Sequence, residues 1–132
     1  MASSSSLIPR LFGLSAVALL IDLVWLSLQA ERFSAIVREI QGGRPMHVRW
    51  WAAIPVYVAL GYLALRVDSP LDAFCTGLAV YAVYDFTQVA TLERYPMWFA
   101  FVDSVWGGVL LLFVWYVGRT MGWVSSADVA LM

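Results

Sequence analysis

Three aspartates, Asp22, Asp85 and Asp103, each interrupt a stretch of the chain that otherwise reads as a membrane-spanning helix. An ionisable side chain in mid-span is unfavourable by roughly 2.5–3.5 kcal/mol on insertion scales. Carboxyl groups brought together in such a place can divide general acid and general base roles, relay protons, or hold a hard cation. These three are the candidate catalytic acids of the chain.

Counting from the helix ends puts them in one layer. Asp22 lies six residues before Leu28, Asp85 six before Thr91, and Asp103 five after Trp98. At ~1.5 Å per residue, each lies about 8–9 Å from the same membrane surface. Shared depth in one leaflet predicts that the three acids face one another.

The neighbours of the acids extend the pattern. Tyr81, Tyr84, Asp85 and Gln88 follow helical spacing and form one polar stripe, with Thr87 and Thr91 beside it. Trp25 follows Asp22, and Trp106 follows Asp103, each by three positions. The candidate ligand-binding residues are therefore Trp25, Tyr81, Tyr84, Gln88, Thr91 and Trp106, together with Arg49, which precedes Trp50 and is placed to reach inward to a carboxylate. Taken singly, Tyr81 and Thr87 are also explained as interhelical hydrogen-bonding groups. Three acids at one depth favour a pocket over such glue, because Asn or Thr would serve as glue at lower cost.

Other chemistries lack residues. There is no His-x-x-x-His or Cys-x-x-Cys pair, and the lone His47 follows Pro45-Met46 in a loop, so no metal site and no cofactor is expected. No nucleophile elbow, phosphate loop or dinucleotide fingerprint occurs. A formal charge of -1 offers no basic face for nucleic acid. The single Cys75 excludes an internal disulfide and is expected as a small buried packing residue.

The elements that must position the acids follow from composition. The chain has 132 residues, 62% of them hydrophobic, with a mean hydropathy of +0.79. This predicts an all-α integral membrane four-helix bundle forming a single membrane domain over residues 1–132. The spans are placed at approximately 11–28, 50–65, 71–91 and 98–118. The first resembles a signal peptide at its Ser-rich start, but Asp22 and Trp25 break the apolar run and argue for a retained span. Phe33, Ile36, Val37 and Ile40 recur at helical spacing, which predicts a short amphipathic helix lying in the interface within the first loop, ended by Gly42-Gly43. Ser69-Pro70-Leu71-Asp72 has the order of a helix start, and Pro55 is expected to kink the second span in its first half.

Four spans put both termini on one side. Arg10, Arg66 and Arg119 mark that side, while Arg32, Arg38, Arg44, Arg49 and Arg94 mark the other. The majority predicts a cytoplasmic first loop.

The strings Asp22-Leu23-Val24-Trp25, Tyr84-Asp85-Phe86-Thr87-Gln88 with Ala90-Thr91-Leu92, and Asp103-Ser104-Val105-Trp106-Gly107 carry a resemblance. Together they resemble a family of predicted four-helix membrane proteins catalogued as domain of unknown function 2177, over about Leu11 to Gly118. The family usually has Asn where this chain has Gln88, and its first loop is shorter. The resemblance implies a four-helix membrane fold and no defined activity. Bacterial relatives are often encoded beside fatty-acyl-modifying enzymes, which implies a lipid connection.

The sequence leaves three functions open. The first is a lipid-handling or lipid-modifying protein, in which Tyr84 and Gln88 orient the ligand and Trp25 and Trp106 wall the pocket. The second is a proton-coupled small transporter or channel, which with four spans requires a homo-oligomer. The third is a non-catalytic subunit or assembly factor of a larger membrane complex. The expected partners are the lipid bilayer and these protein assemblies, with no nucleic acid.

Overall fold

A computed structural model describes residues 4–124. Most of the residues that follow the fourth span lie outside them. The described residues form four helices and no strand: α1 (Ser4–Ile40), α2 (Trp50–Arg66), α3 (Pro70–Thr91) and α4 (Met97–Thr120).

The amphipathic segment in the first loop is not a separate interfacial helix. It is the last turns of α1, which runs unbroken for 37 residues. At ~1.5 Å per residue α1 is about 55 Å long, well beyond the ~30 Å of a hydrocarbon core. Gln29-Ala30-Glu31-Arg32 are all good helix formers, so polarity ends the apolar run there without ending the helix. The stop comes at Gly42 and Gly43, whose φ angles are 68° and 95°, in the left-handed region that side chains with a Cβ avoid. The Gly43 N–H donates to the Arg38 carbonyl at 2.8 Å, closing the last turn.

At the start of α3, the Ser69 hydroxyl accepts from the Asp72 N–H at 3.1 Å and Pro70 occupies the first turn. The α2 helix continues through Pro55, which lies close enough to its N-terminus to forfeit little of the ladder.

Two apolar cores hold the bundle. The larger lies toward the chain termini and joins Leu14 and Ala18 of α1, Leu60 and Ala64 of α2, and Leu110 and Val114 of α4. The smaller lies toward the first loop, where Ile36, Tyr95, Phe99 and Ala100 are buried together against Phe33, Ile40 and Leu92. The apolar face of the α1 extension is thus buried against the α3–α4 hairpin instead of lying on the membrane.

Helix α3 meets α4 at very short range. A Cβ added to Gly77 would overlap the Gly107 carbonyl, and one added to Gly107 would overlap the Tyr81 ring. Helix–helix contact also joins α1 to α2 and, less closely, α1 to α4 and α2 to α4. The α1–α3 pair is not among them, which leaves a gap between these two helices.

The outer surface is apolar where a soluble protein would be polar. Leu20, Leu28, Val83 and Phe113 are all more than half exposed. Helices α1 and α4 are each long and apolar enough to cross a membrane, while α2 is apolar and 17 residues long. Cys75 belongs to this outer surface and is exposed, contrary to the packing role expected for it. The buried face of α3 runs through Ala73, Gly77 and Asp85, and Cys75 sits about 200° around the helix from Ala73.

Candidate functional site

The three aspartates lie between the two cores and turn inward. Asp85 is 0% exposed and Asp22 5%, while Asp103 is partly buried. A polar layer inside a membrane bundle requires a donor for each acceptor oxygen, since water cannot supply one there.

Asp22 of α1 is fully paired. Its Oδ2 accepts from the Tyr57 hydroxyl of α2 at 2.6 Å, and its Oδ1 accepts from Trp106 Nε1 of α4 at 2.8 Å. One carboxylate therefore ties three helices together. Asp103 of α4 accepts from Trp25 Nε1 of α1 at 3.2 Å. The Trp25 and Trp106 rings lie 5.0 Å apart with only 9° between their planes. The two Asp–Trp pairs are thus crossed: each indole donates to the aspartate of the other helix while stacking on its counterpart.

Asp85 of α3 accepts from the Tyr95 hydroxyl at 2.7 Å through Oδ1. Its Oδ2 is buried with no hydrogen-bond partner among the described residues. The Asp103 carboxyl is the neighbour facing it, and two carboxyl groups can hydrogen-bond only when one of them holds a proton. Tyr95 stands in the α3–α4 connection, where burial and then its bond to Asp85 push the phenol above its ordinary value of 10.0 and keep it a donor. Tyr81 occupies the centre of the layer, where the fields of Asp22, Asp103 and Asp85 all reach its phenol.

A cavity of about 480 Å³ opens off this layer in the gap between α1 and α3. Asp22, Asp103, Tyr81 and Tyr84 line its polar end. Leu26, Phe33, Met46, Val48, Trp50 and Phe99 supply apolar wall toward the first loop. Helix α1 extends past the layer, and residues 41–49 fold back along it, so that loop residues Met46 and Val48 complete the wall.

The sequence-predicted residues divide accordingly. Asp22, Asp103, Trp25, Tyr81 and Tyr84 line the cavity, and Asp85 stands directly behind Asp103. Trp106 lies on the far side of Trp25 and reaches the layer through its bond to Asp22. Gln88 is not part of the cavity wall. Thr91 is exposed beside Glu93 and Arg94 in a shallow groove at the hairpin end, with its hydroxyl donated to the Thr87 carbonyl. Arg49 is exposed at the N-cap of α2 and lies outside the wall.

Two participants were not anticipated, Tyr57 and Tyr95. Tyr57 lies seven residues after Trp50, about 10 Å into α2, so the depth count applied to the acids also reaches it. Tyr95 carries no such signal, because only the fold of the hairpin turns it back onto α3. Gln29 also lines the cavity, and its Oε1 is buried without a partner among the described residues.

A bundle with an apolar exterior, a buried carboxyl layer and a side cavity defines a small helical membrane protein with an internal polar site. The chain belongs to the predicted membrane protein family DUF2177, whose profile matches residues 8–120. Neither a curated protein nor a solved structure matches it.

Proposed function

We propose that this is a multi-pass membrane protein that handles lipid, holding one amphiphile with its head at the aspartate layer and its chain along the apolar wall. The observation that carries the reading is the two-ended cavity between α1 and α3. Small-ligand sites are concave and mostly apolar, with a few converging polar groups, and this cavity has that composition. Its acids are also pre-positioned, since Asp22 is fixed by two donors and Asp103 by the Trp25 indole. Multi-pass insertion with a cytoplasmic first loop is part of the same proposal, supported by the arginine distribution.

The test is native mass spectrometry of the full chain released from mild detergent. The wild-type protein is expected to retain one amphiphile per chain. Ala30→Trp, which places an indole in the cavity wall, is expected to lose it while keeping its helical content. Equal retention by both proteins would contradict the reading.

A second reading has one observation in its favour. The unpartnered Oδ2 of Asp85 beside Asp103 suits a proton relay in a small oligomeric transporter. Vesicles carrying the protein would then show proton-coupled flux that Asp85→Asn abolishes; flux identical in the two proteins would exclude it.

A further inference from the structure

The polar end of the cavity has acceptors and no cation, and this bears on the chemistry of the head group. Among the described residues, no Lys, Arg or His lines the cavity. Two of its lining residues are acids, Asp22 and Asp103. Asp22 already receives a donor on each oxygen. Asp103 receives the Trp25 indole on Oδ1. Gln29, one helical turn beyond Trp25 on α1, adds a carbonyl oxygen that is buried and has no donor among the described residues.

Two of the donors near the cavity are already committed. Trp25 Nε1 is given to Asp103, and the Ser27 hydroxyl is donated back to the Leu23 carbonyl at 2.7 Å. A buried acceptor left without a donor is unfavourable, so a ligand that brings donors relieves a deficit. A phosphate or carboxylate head brings only acceptors and negative charge, and it meets two acids in a low-dielectric setting with nothing to neutralise it.

We infer that the cavity selects an amphiphile whose head donates hydrogen bonds, an alcohol or an amine, and rejects phosphate and carboxylate heads. The inference rests on the lipid-handling reading above and narrows its ligand class. Asp103 and Gln29 Oε1 receive the donors, and Tyr81 and Tyr84 flank the head. Phe33, Val48 and Trp50 take the chain. The preference is set as much by repulsion of the wrong head as by attraction of the right one.

The experiment uses the full chain in phosphatidylcholine nanodiscs, with a brominated hexadecanol as a quencher of tryptophan fluorescence, since Trp25 and Trp50 line the cavity. Hexadecanol, hexadecylamine, hexadecanoate and hexadecyl phosphate then compete for the site. The alcohol and the amine are expected to displace the probe at concentrations at least about tenfold lower than the two anions. An amine that outcompetes the alcohol assigns the recognition to charge on Asp103, and equal competition assigns it to hydrogen bonding; both agree with the inference.

Gln29→Leu is expected to weaken alcohol binding about tenfold without strengthening the anions. Asp103→Asn is expected to improve binding of the anions, a gain that mere structural damage would not produce. Anions competing as well as the alcohol would overturn the head-group inference and leave the lipid reading standing. No saturable competition by any of the four would overturn both.

Discussion

Asp22, Asp85 and Asp103 were located by depth alone, yet their pairing differs from residue to residue in a way that sets different consequences for mutation. Asp22 depends on Tyr57 and Trp106, which come from helices on either side of it. Tyr57→Phe and Trp106→Phe each leave one oxygen of a buried carboxylate without its donor. Each is expected to destabilise the protein by about 1–3 kcal/mol, measured by denaturant unfolding in detergent, with the double variant costing less than the sum because both act on one group. Additive losses would mean that the two bonds do not converge on Asp22. The acids and most of their neighbours were legible because an ionisable group in an apolar helix has few explanations. Arg49 and Thr91 misled because sequence adjacency to the layer is not proximity in space: one is exposed at a helix cap, the other sits in the hairpin groove.

At the scale of elements, the decisive feature is the overshoot of α1. Its apolar positions Phe33, Ile36 and Ile40 have the spacing of an interfacial helix and also that of a helix packed on protein, and periodicity cannot separate the two. The structure selects packing, with Ile36 buried against Tyr95 and Phe99. Ile36→Ala is therefore expected to cost about 2 kcal/mol or more of stability, as for a buried large-to-small change. A change near zero would return the segment to the membrane surface. The same overshoot brings residues 41–49 back along α1, and this is how Met46 and Val48 reach the cavity. The ends of α3 and α1 were legible from Ser69-Pro70 and Gly42-Gly43 because capping is local chemistry. The continuity of α1 past Gln29 was not, since polarity ends a membrane crossing more readily than it ends a helix.

For the whole molecule, the polar layer sits between two apolar cores, and the α1–α3 gap is the opening beside it. The short-range packing of α3 on α4 at Gly77 and Gly107 fixes Tyr81 and Asp85 against Asp103, while α1 is held by α2 and α4. A ligand between α1 and α3 would then bridge two helices that share little direct contact along the cavity. The most direct measurement of this account is photolabelling of the full chain in its membrane with a long-chain alcohol carrying a diazirine near the middle of the chain, followed by mapping of the modified residues. Labelling is expected to saturate and to concentrate on cavity residues such as Leu26, Phe33 and Val48, with Ala30→Trp abolishing it. Unsaturable labelling spread over the outer residues Val83 and Phe113, and unchanged in Ala30→Trp, would show lipid surrounding the bundle rather than entering it, and would contradict the account.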